Sequence, residues 1–494
     1  MNTFGLSLDE PYRISGDSFD YINSAETLLD EGEFTFFKTN EDDEFVSNFS
    51  DKSEYNKSIF YSFRSPGFAF FYLPIRLFFS QHYSLLLFLG LQIIISAIAK
   101  YSLSKLSEML TDKKAVFVSV FIFLNITPYF VQYNNLILTE SLGFSFLVFY
   151  LFYFVKAIKA NPEDKKVLYK LYVISGVCLT IAVMLRPFLA VFLMGTAFYM
   201  LFRFCKNFKQ LIIVGVLFFS SFAVVDGYWT VRNYIKSNKF IPLASTMEFQ
   251  AHKHLGYSEM QKFAMQRHLS DRWFDVKSPV YWLVTQDDIR DISELVQSDK
   301  KSELAELNKL KLLFHNSLNP DIKLIERKAL EKKVANDLKL INDVFYKENE
   351  LLVNYISPFK AVSFLLKQPN LRFFHHVKYP FNLGLVLMQS TVLRMIFLIG
   401  VIASFLLFFL KGRKYLTFLF LPSSIFLVFF FGWLSQSVEF RELYTFSGMF
   451  VLSLAILLDL VFNKSKKLFI FSSIFILMIS TYYGFNLMLE EIRW

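Results

Sequence analysis

The chain has 494 residues, of which 54% are hydrophobic and 62 are Phe, a composition well outside that of water-soluble domains. Its formal net charge of +9 suggests an anionic partner, but the Lys and Arg residues cluster in short loops between apolar runs, which excludes a nucleic-acid-binding surface. The two cysteines, Cys178 and Cys205, show no paired spacing, so neither a disulfide framework nor a Cys metal site is expected.

Residues 1–64 form an acidic head with 14 Asp and Glu against 5 Lys and Arg. Within it, Tyr21, Ala25, Leu28 and Leu29 follow Asp17 and Asp20 at helical spacing. Residues 1–16 contain neither a basic n-region nor an apolar h-region, so either the first helix drives its own N-out insertion or a further transmembrane helix stands ahead of the head, and the second is expected. Residues 66–79 are apolar but short, with Pro74 and Arg76 inside them, and read as a helix lying in the membrane interface.

Ten apolar runs long enough to cross a bilayer follow, at about 83–106, 115–133, 137–156, 167–185, 188–204, 210–229, 390–410, 415–434, 443–462 and 467–488. Between the sixth and seventh lies a segment of about 150 residues with its own helical face of Leu330, Val334, Leu338, Ile341 and Phe345, a small folded domain. The expected division is a first loop with its interfacial helix at 1–82, an N-terminal membrane bundle at 83–229, a loop domain at 230–382 and a C-terminal bundle at 383–494. The fold class is all-α: a polytopic helical membrane protein with about ten visible transmembrane helices, eleven with the expected first one, and extracytoplasmic loop domains.

Basic residues occupy alternate loops: Lys113 and Lys114; Lys156, Lys159, Lys165, Lys166 and Lys170; Arg203, Lys206 and Lys209; Lys411, Arg413 and Lys414; Lys464, Lys466 and Lys467. The positive-inside rule puts these in the cytoplasm and the head, the 230–382 segment and the C-terminus outside it.

Charged residues at membrane depth are costly and mark substrate paths, and here they gather on the extracytoplasmic face. Each also has a purely structural reading. Asp17 after Gly16 suits a helix N-cap, and Asp20 suits its N3 partner. Arg64 suits a headgroup anchor, and Glu140 suits a first-turn acid facing the helix dipole. Arg186 and Arg232 suit counter-ions for Glu140 and Asp226, and Arg441 suits a pair with Glu439 or Glu442. Several arginines opposite the positive-inside loops nevertheless call for a further explanation, and a lipid phosphate supplies one. His252 with His254, and His375 with His376, lack the carboxylate or Cys spacing that completes a metal site. No Gly-rich phosphate loop is present, which argues against a nucleotide-sugar donor.

An ordered series of short motifs carries a resemblance. It runs from Asp17 through Tyr21 and Ala25 to Leu28, then Arg64-Ser65-Pro66-Gly67-Phe68, Leu138-Thr139-Glu140-Ser141-Leu142 and Leu185-Arg186-Pro187. It continues in Trp229-Thr230-Val231-Arg232-Asn233-Tyr234, in Phe240-Ile241-Pro242-Leu243 and in Phe440-Arg441. The series resembles the C-type glycosyltransferases that use polyprenyl-phosphate sugars, the superfamily of protein O-mannosyltransferases and lipid A aminoarabinose transferases. It covers residues 17 to about 245 well and the C-terminal third poorly. Where those relatives often show adjacent Asp-Glu, this chain has Asp17-Ser18, with Asp9-Glu10 upstream.

The resemblance implies an inverting glycosyltransferase with Asp17 as general base, Asp20 as the next candidate, and Tyr21, Arg64, Glu140, Arg186, Arg232 and Arg441 as substrate-binding residues. The implied partners are a polyprenyl-phosphate-linked sugar donor, a glycan, lipid or protein acceptor and the membrane lipids, with no nucleic acid. No cofactor is expected, and the sequence leaves open whether a divalent metal assists. The Phe- and Lys-rich, Cys-poor composition is compatible with a bacterial inner membrane and a periplasmic site. The rival readings are an O-antigen polymerase or ligase, which is expected to depend on loop Arg and His, and a lipid-linked sugar transporter or flippase, which is expected to show internal repeats.

Overall fold

A computed structural model of the chain describes residues 16–38, 58–60, 64–127, 130–131, 133–161, 163–244, 301–317, 322–356 and 440–464, with residues 256, 259, 262, 263 and 266. The expected spans at 390–410, 415–434 and 467–488 lie outside these residues, as do His252, His254, His375 and His376.

The head begins with helix α1 (Gly16–Glu31), followed by strands β1 (Phe36–Lys38) and β2 (Ser58–Phe60), which pair antiparallel with Phe37 opposite Ile59. The short α2 (Gly67–Arg76) leads into α3 (Gln81–Thr111) and α4 (Lys114–Ile126). Next come α5 (Glu140–Lys159), α6 (Lys165–Leu185), α7 (Val191–Phe204, preceded by a 3-10 turn over Pro187–Ala190) and α8 (Phe208–Ser237). The large loop contributes α9 (Lys301–Ser317) and α10 (Leu324–Glu348), and α11 (Phe440–Lys464) belongs to the C-terminal bundle. Among the described residues, six helical stretches are long and apolar enough to cross a membrane, so the protein is a polytopic, essentially all-helical membrane protein.

Helix α5 is the centre of the bundle, packed against α3, α6 and α11, while α6 also packs on α8. Its buried face alternates rings with small polar residues: Phe144, Leu147, Tyr150, Leu151 and Phe154 beside Ser141 and Ser145. Without a hydrophobic drive between helices in lipid, such contacts rest on close packing and interhelical hydrogen bonds. Gly176 shows both: a Cβ there would collide with the backbone of Phe218, and Thr180 one turn on shares a 2.9 Å hydrogen bond with Ser221 of α8.

Three helix ends depart from the expected spans for identifiable reasons. The expected span at 115–133 stops at Ile126, because Thr127 precedes Pro128 and takes an extended conformation with ψ 119°. At a rise of about 1.5 Å per residue, α4 is shorter than a bilayer core is thick. The spans read as 83–106 and 210–229 instead run on to Thr111 and Ser237, where Asp112 (φ 58°) and Asn238 (φ 54°) close them in left-handed caps. Arg232 and Asn233 therefore lie on α8 rather than in the loop after it.

In the large loop, α10 buries Val334 and Leu338 fully and Leu330, Ile341 and Phe345 in part, the face expected from their spacing, and packs against α9. Reporter fusions at residues 160–166 are expected to report cytoplasm and fusions near residue 300 the opposite side, following the Lys and Arg alternation. A cytoplasmic signal near 300 would invert the bundle and place the residues described below on the wrong face.

Candidate functional site

Helix α1 starts at Gly16, so Asp17 stands inside its first turn rather than ahead of it, one turn before Asp20 and Tyr21. The helix buries Ser18, Tyr21, Ile22 and Ala25, and Tyr21 lies 5.7 Å from the Phe68 ring of α2. Two carboxylates then tie α1 to α2 and the segment just before it. Asp20 Oδ2 accepts from Arg64 Nη2 at 2.6 Å, with both side chains slightly exposed. Six residues on, Glu26 accepts from the Tyr72 hydroxyl and from Arg76 Nε, at 2.9 Å to Oε1 and 3.1 Å to Oε2. Burial first, and then the neighbouring Glu26, push the Tyr72 phenol far above its ordinary range, so it stays a donor.

Arg64 makes a second contact through its flat face, 4.9 Å above the Tyr21 ring. The Tyr21 hydroxyl in turn accepts from Thr139 Oγ1 at 3.2 Å, and Thr139 is the residue immediately before α5. A continuous run of contacts thus leads from Asp20 through Arg64, Tyr21 and Thr139 to Glu140.

Glu140, the first residue of α5, is fully buried and forms an ion pair with Arg186, the residue that ends α6. The structure therefore makes Arg186 the counter-ion of Glu140. The pair is roofed closely: a Cβ on Gly143 would lie 3.2 Å from Arg186 Cγ and 3.5 Å from Thr445 of α11. The α2 segment is clamped to the same corner, since Ser65 Oγ donates to the Met184 carbonyl at 2.6 Å and Gly67 lies so close to that carbonyl that a Cβ would collide with it. Only a glycine permits that approach.

The loop before Glu140 is held from α3, where Gln92 Nε2 donates to the carbonyls of Tyr133, Asn134 and Leu136 at 2.9–3.2 Å. Asn134 Oδ1 accepts from Ser141 Oγ at 2.7 Å. Arg441 lies in the first turn of α11, one turn ahead of Tyr444, whose ring packs 4.5 Å from Tyr133 and 5.1 Å from Phe144. The Tyr444 hydroxyl faces Ser96, Ser141 and Glu140.

Arg232 belongs to a second group. Its guanidinium lies 4.7 Å above the Trp229 ring and donates to the Phe34 carbonyl and to Asn233 Oδ1, binding the end of α8 to the chain after α1. Asp226 accepts instead from the Leu243 amide at 2.9 Å, and Asn233 donates to the Ile241 carbonyl, so the motif from Trp229 to Leu243 folds back on itself.

Asp20, Tyr21, Arg64, Glu140 and Arg186 are thus brought to one corner where α1, α2, α5 and α6 end, Arg441 opens the helix packed beside it, and Arg232 joins a neighbouring cluster. Sequence reasoning did not single out Glu26, Tyr72, Gln92 or Tyr444, and named Ser65 only as part of the Arg64–Phe68 motif. The i, i+3 spacing of Arg441 and Tyr444 was a usable signal, while Glu26 and Gln92 act on partners distant in sequence and left none. Among the described residues, no three His, Cys, Asp or Glu side chains meet as a potential metal site.

Residues 66–229, from α2 into α8, match the family described as dolichyl-phosphate-mannose-protein mannosyltransferase. No curated protein matches the chain significantly. Among solved structures, the oligosaccharyltransferase of Archaeoglobus fulgidus aligns over 98% of this chain and 52% of its own at 15% identity, with a TM-score of 0.44 in complex with an inhibitory peptide and a dolichol-phosphate. The apo form of that enzyme aligns at 14% identity over 98% of this chain and 53% of its own, with a TM-score of 0.47. The chain thus spans about half the length of these proteins. The matched residues 66–229, about a third of the chain, contain the Pro66-Gly67, Thr139-Glu140 and Arg186-Pro187 motifs and are similar to the C-type glycosyltransferases.

Proposed function

We propose that the protein transfers a sugar from a polyprenyl-phosphate carrier to an acceptor hydroxyl on the extracytoplasmic side of the membrane, with inversion at the anomeric carbon. The observation that carries this reading is the corner where Arg64 and Asp20 meet at the start of α2, joined through Tyr21 and Thr139 to the Glu140–Arg186 pair. The family match, whose name specifies a lipid-phosphate-linked mannose as donor, supports the donor class. A bacterial inner membrane suits the composition.

In the proposed reaction the acceptor oxygen attacks the anomeric carbon while the bond from that carbon to the phosphate oxygen breaks. The electron pair leaves with the phosphate and the hydroxyl proton passes to Asp17. Arg64 meets the charge that grows on the phosphate, where a planar guanidinium offers two parallel donors. Glu140 and Arg186, already neutralised by each other, form a floor at the start of α5, next to Thr139, which reaches the Tyr21 hydroxyl. Arg232 and Arg441 flank it, where they meet the sugar or the acceptor.

Arg64→Lys tests the donor assignment, because it keeps the charge and removes the fork. Transfer from a synthetic polyprenyl-phosphate sugar by the purified protein is expected to fall about tenfold or more, as the loss of one charged hydrogen bond implies. Undiminished transfer would reduce Arg64 to a headgroup anchor.

A further inference from the structure

We infer that α10 of the large loop lies on the membrane surface, with its exposed lysines on anionic lipid headgroups and the apolar residues between them sunk into the interface. The contact does not depend on the reaction proposed above.

The side of α10 turned away from the buried Val334 and Leu338 is not composed like a helix face in water. Lys333, Leu340, Val344 and Lys347 recur at intervals of seven, four and three residues, which places them in one row along the helix. Lys328, Lys332 and Lys339 form a second row beside it, and all five lysines are exposed. Leu340 is 67% exposed, and Leu351 and Tyr355, at 73% and 65%, carry exposed apolar surface on past the end of the helix. A single exposed Leu is ordinary, but a series of them marks a contact surface. From Lys328 to Lys347 the two rows cover about 28 Å at a rise of about 1.5 Å per residue.

The positive charges on this face are not neutralised within the fold. Arg327 pairs with Glu331 at 3.2 Å and Asp343 with Lys262 at 3.4 Å, and among the described residues none of the five lysines has a carboxylate within ion-pair distance. The exposed acids Glu326 and Glu348 stand near the two ends of the helix, and Asp337 and Asp343 between them are half-buried, so positive charge prevails along the middle. Lysines interleaved with apolar residues fit a lipid interface better than a dissolved polyanion. Their stems lie along the acyl boundary while the ammonium groups reach the headgroup phosphates, and the leucines enter a layer that a soluble polymer does not offer. The bilayer is also the partner at hand. The loop leaves α8 at Ser237 and returns to the apolar run expected at 390–410, so it is tethered to the membrane at both ends and meets the lipid surface at high effective concentration.

Fluorescence quenching on the full chain in lipid nanodiscs tests this. In a Cys205→Ser background, where the remaining Cys178 is buried, Leu340→Cys carries an environment-sensitive fluorophore. Acyl-brominated lipid is expected to quench that probe at least about twofold more in nanodiscs containing phosphatidylglycerol than in pure phosphatidylcholine, since only the first offers anionic headgroups. Replacing the five lysines with Gln, or raising the salt to about 1 M, is expected to abolish the difference. Val344→Cys provides the same readout should Leu340→Cys fail to fold. Equal quenching in both lipids would mean a contact that owes nothing to the lysines, and overturns the assignment of anionic lipid. A probe that is blue-shifted but unquenched would place a protein segment over the face, and one that reports water in both lipids would leave the face bare; either result overturns the membrane contact.

Discussion

Replacing Asp17 with Asn is expected to lower sugar transfer by a factor on the order of 10² to 10⁴, the contribution typical of a general base, with little loss of folded protein. Asn keeps the size of the residue and its tolerance of a helix start, and removes only the basic oxygen. Asp17 lies in the first turn of α1, one turn before Asp20 and Tyr21, and α1 is anchored downstream by Arg64 on Asp20 and by Tyr72 and Arg76 on Glu26. These contacts fix the position of the helix. The readout is the initial rate of transfer from a polyprenyl-phosphate sugar, taken alongside thermal melting of the same preparation. Near-normal turnover in Asp17→Asn together with an inactive Asp20→Asn would move the base to Asp20.

The membrane bundle was legible because the requirement that writes it is simple: about 20 apolar residues per span, with Lys and Arg in alternate loops. The ends of the spans were less so, since hydropathy falls before a helix stops. Trp229 to Ser237 is too polar to extend an apolar run, yet the helix continues until Asn238 adopts the left-handed conformation that ends it. The opposite error occurred at Pro128, where an apolar run continues although Thr127 has already left the helix. In both places the residue that decides the backbone was visible in the sequence, as Asn238-Lys239 and Thr127-Pro128, but carries no weight in a hydropathy reading.

The site was legible as a set of residue types and not as a set of partners. Glu140 and Arg186 were readable as possible counter-ions because each sits at the end of an adjacent span. The bond between Asp20 and Arg64 joins residues 44 apart in sequence, and nothing local in either segment announces it. The same holds for Ser65 on Met184, 119 residues apart, which depends on Gly67 permitting a backbone contact. Such contacts follow from how the ends of α1, α2, α5 and α6 meet, and helix periodicity does not encode that meeting.

The Glu140–Arg186 pair provides the largest expected effect on stability. Glu140 has no exposed surface and Arg186 very little, so removing one partner leaves a charge buried without its counter-ion, a loss of about 3–5 kcal/mol. Glu140→Ala and Arg186→Met are each expected to lower the melting temperature sharply in detergent, and Glu140→Ala also uncouples Thr139 and the Tyr21 contact above it. The double variant Glu140→Leu with Arg186→Met removes both charges and fills the volume, and replacement of a buried pair by apolar residues is often neutral or stabilising. It is therefore expected to recover most of the stability lost in the single variants, which thermal melting of all variants measures. If the pair is a floor and not a ligand, the double variant also recovers transfer with an unaltered KM for the polyprenyl-phosphate sugar. Recovered stability with transfer still abolished would instead bring Glu140 or Arg186 into direct contact with the substrate.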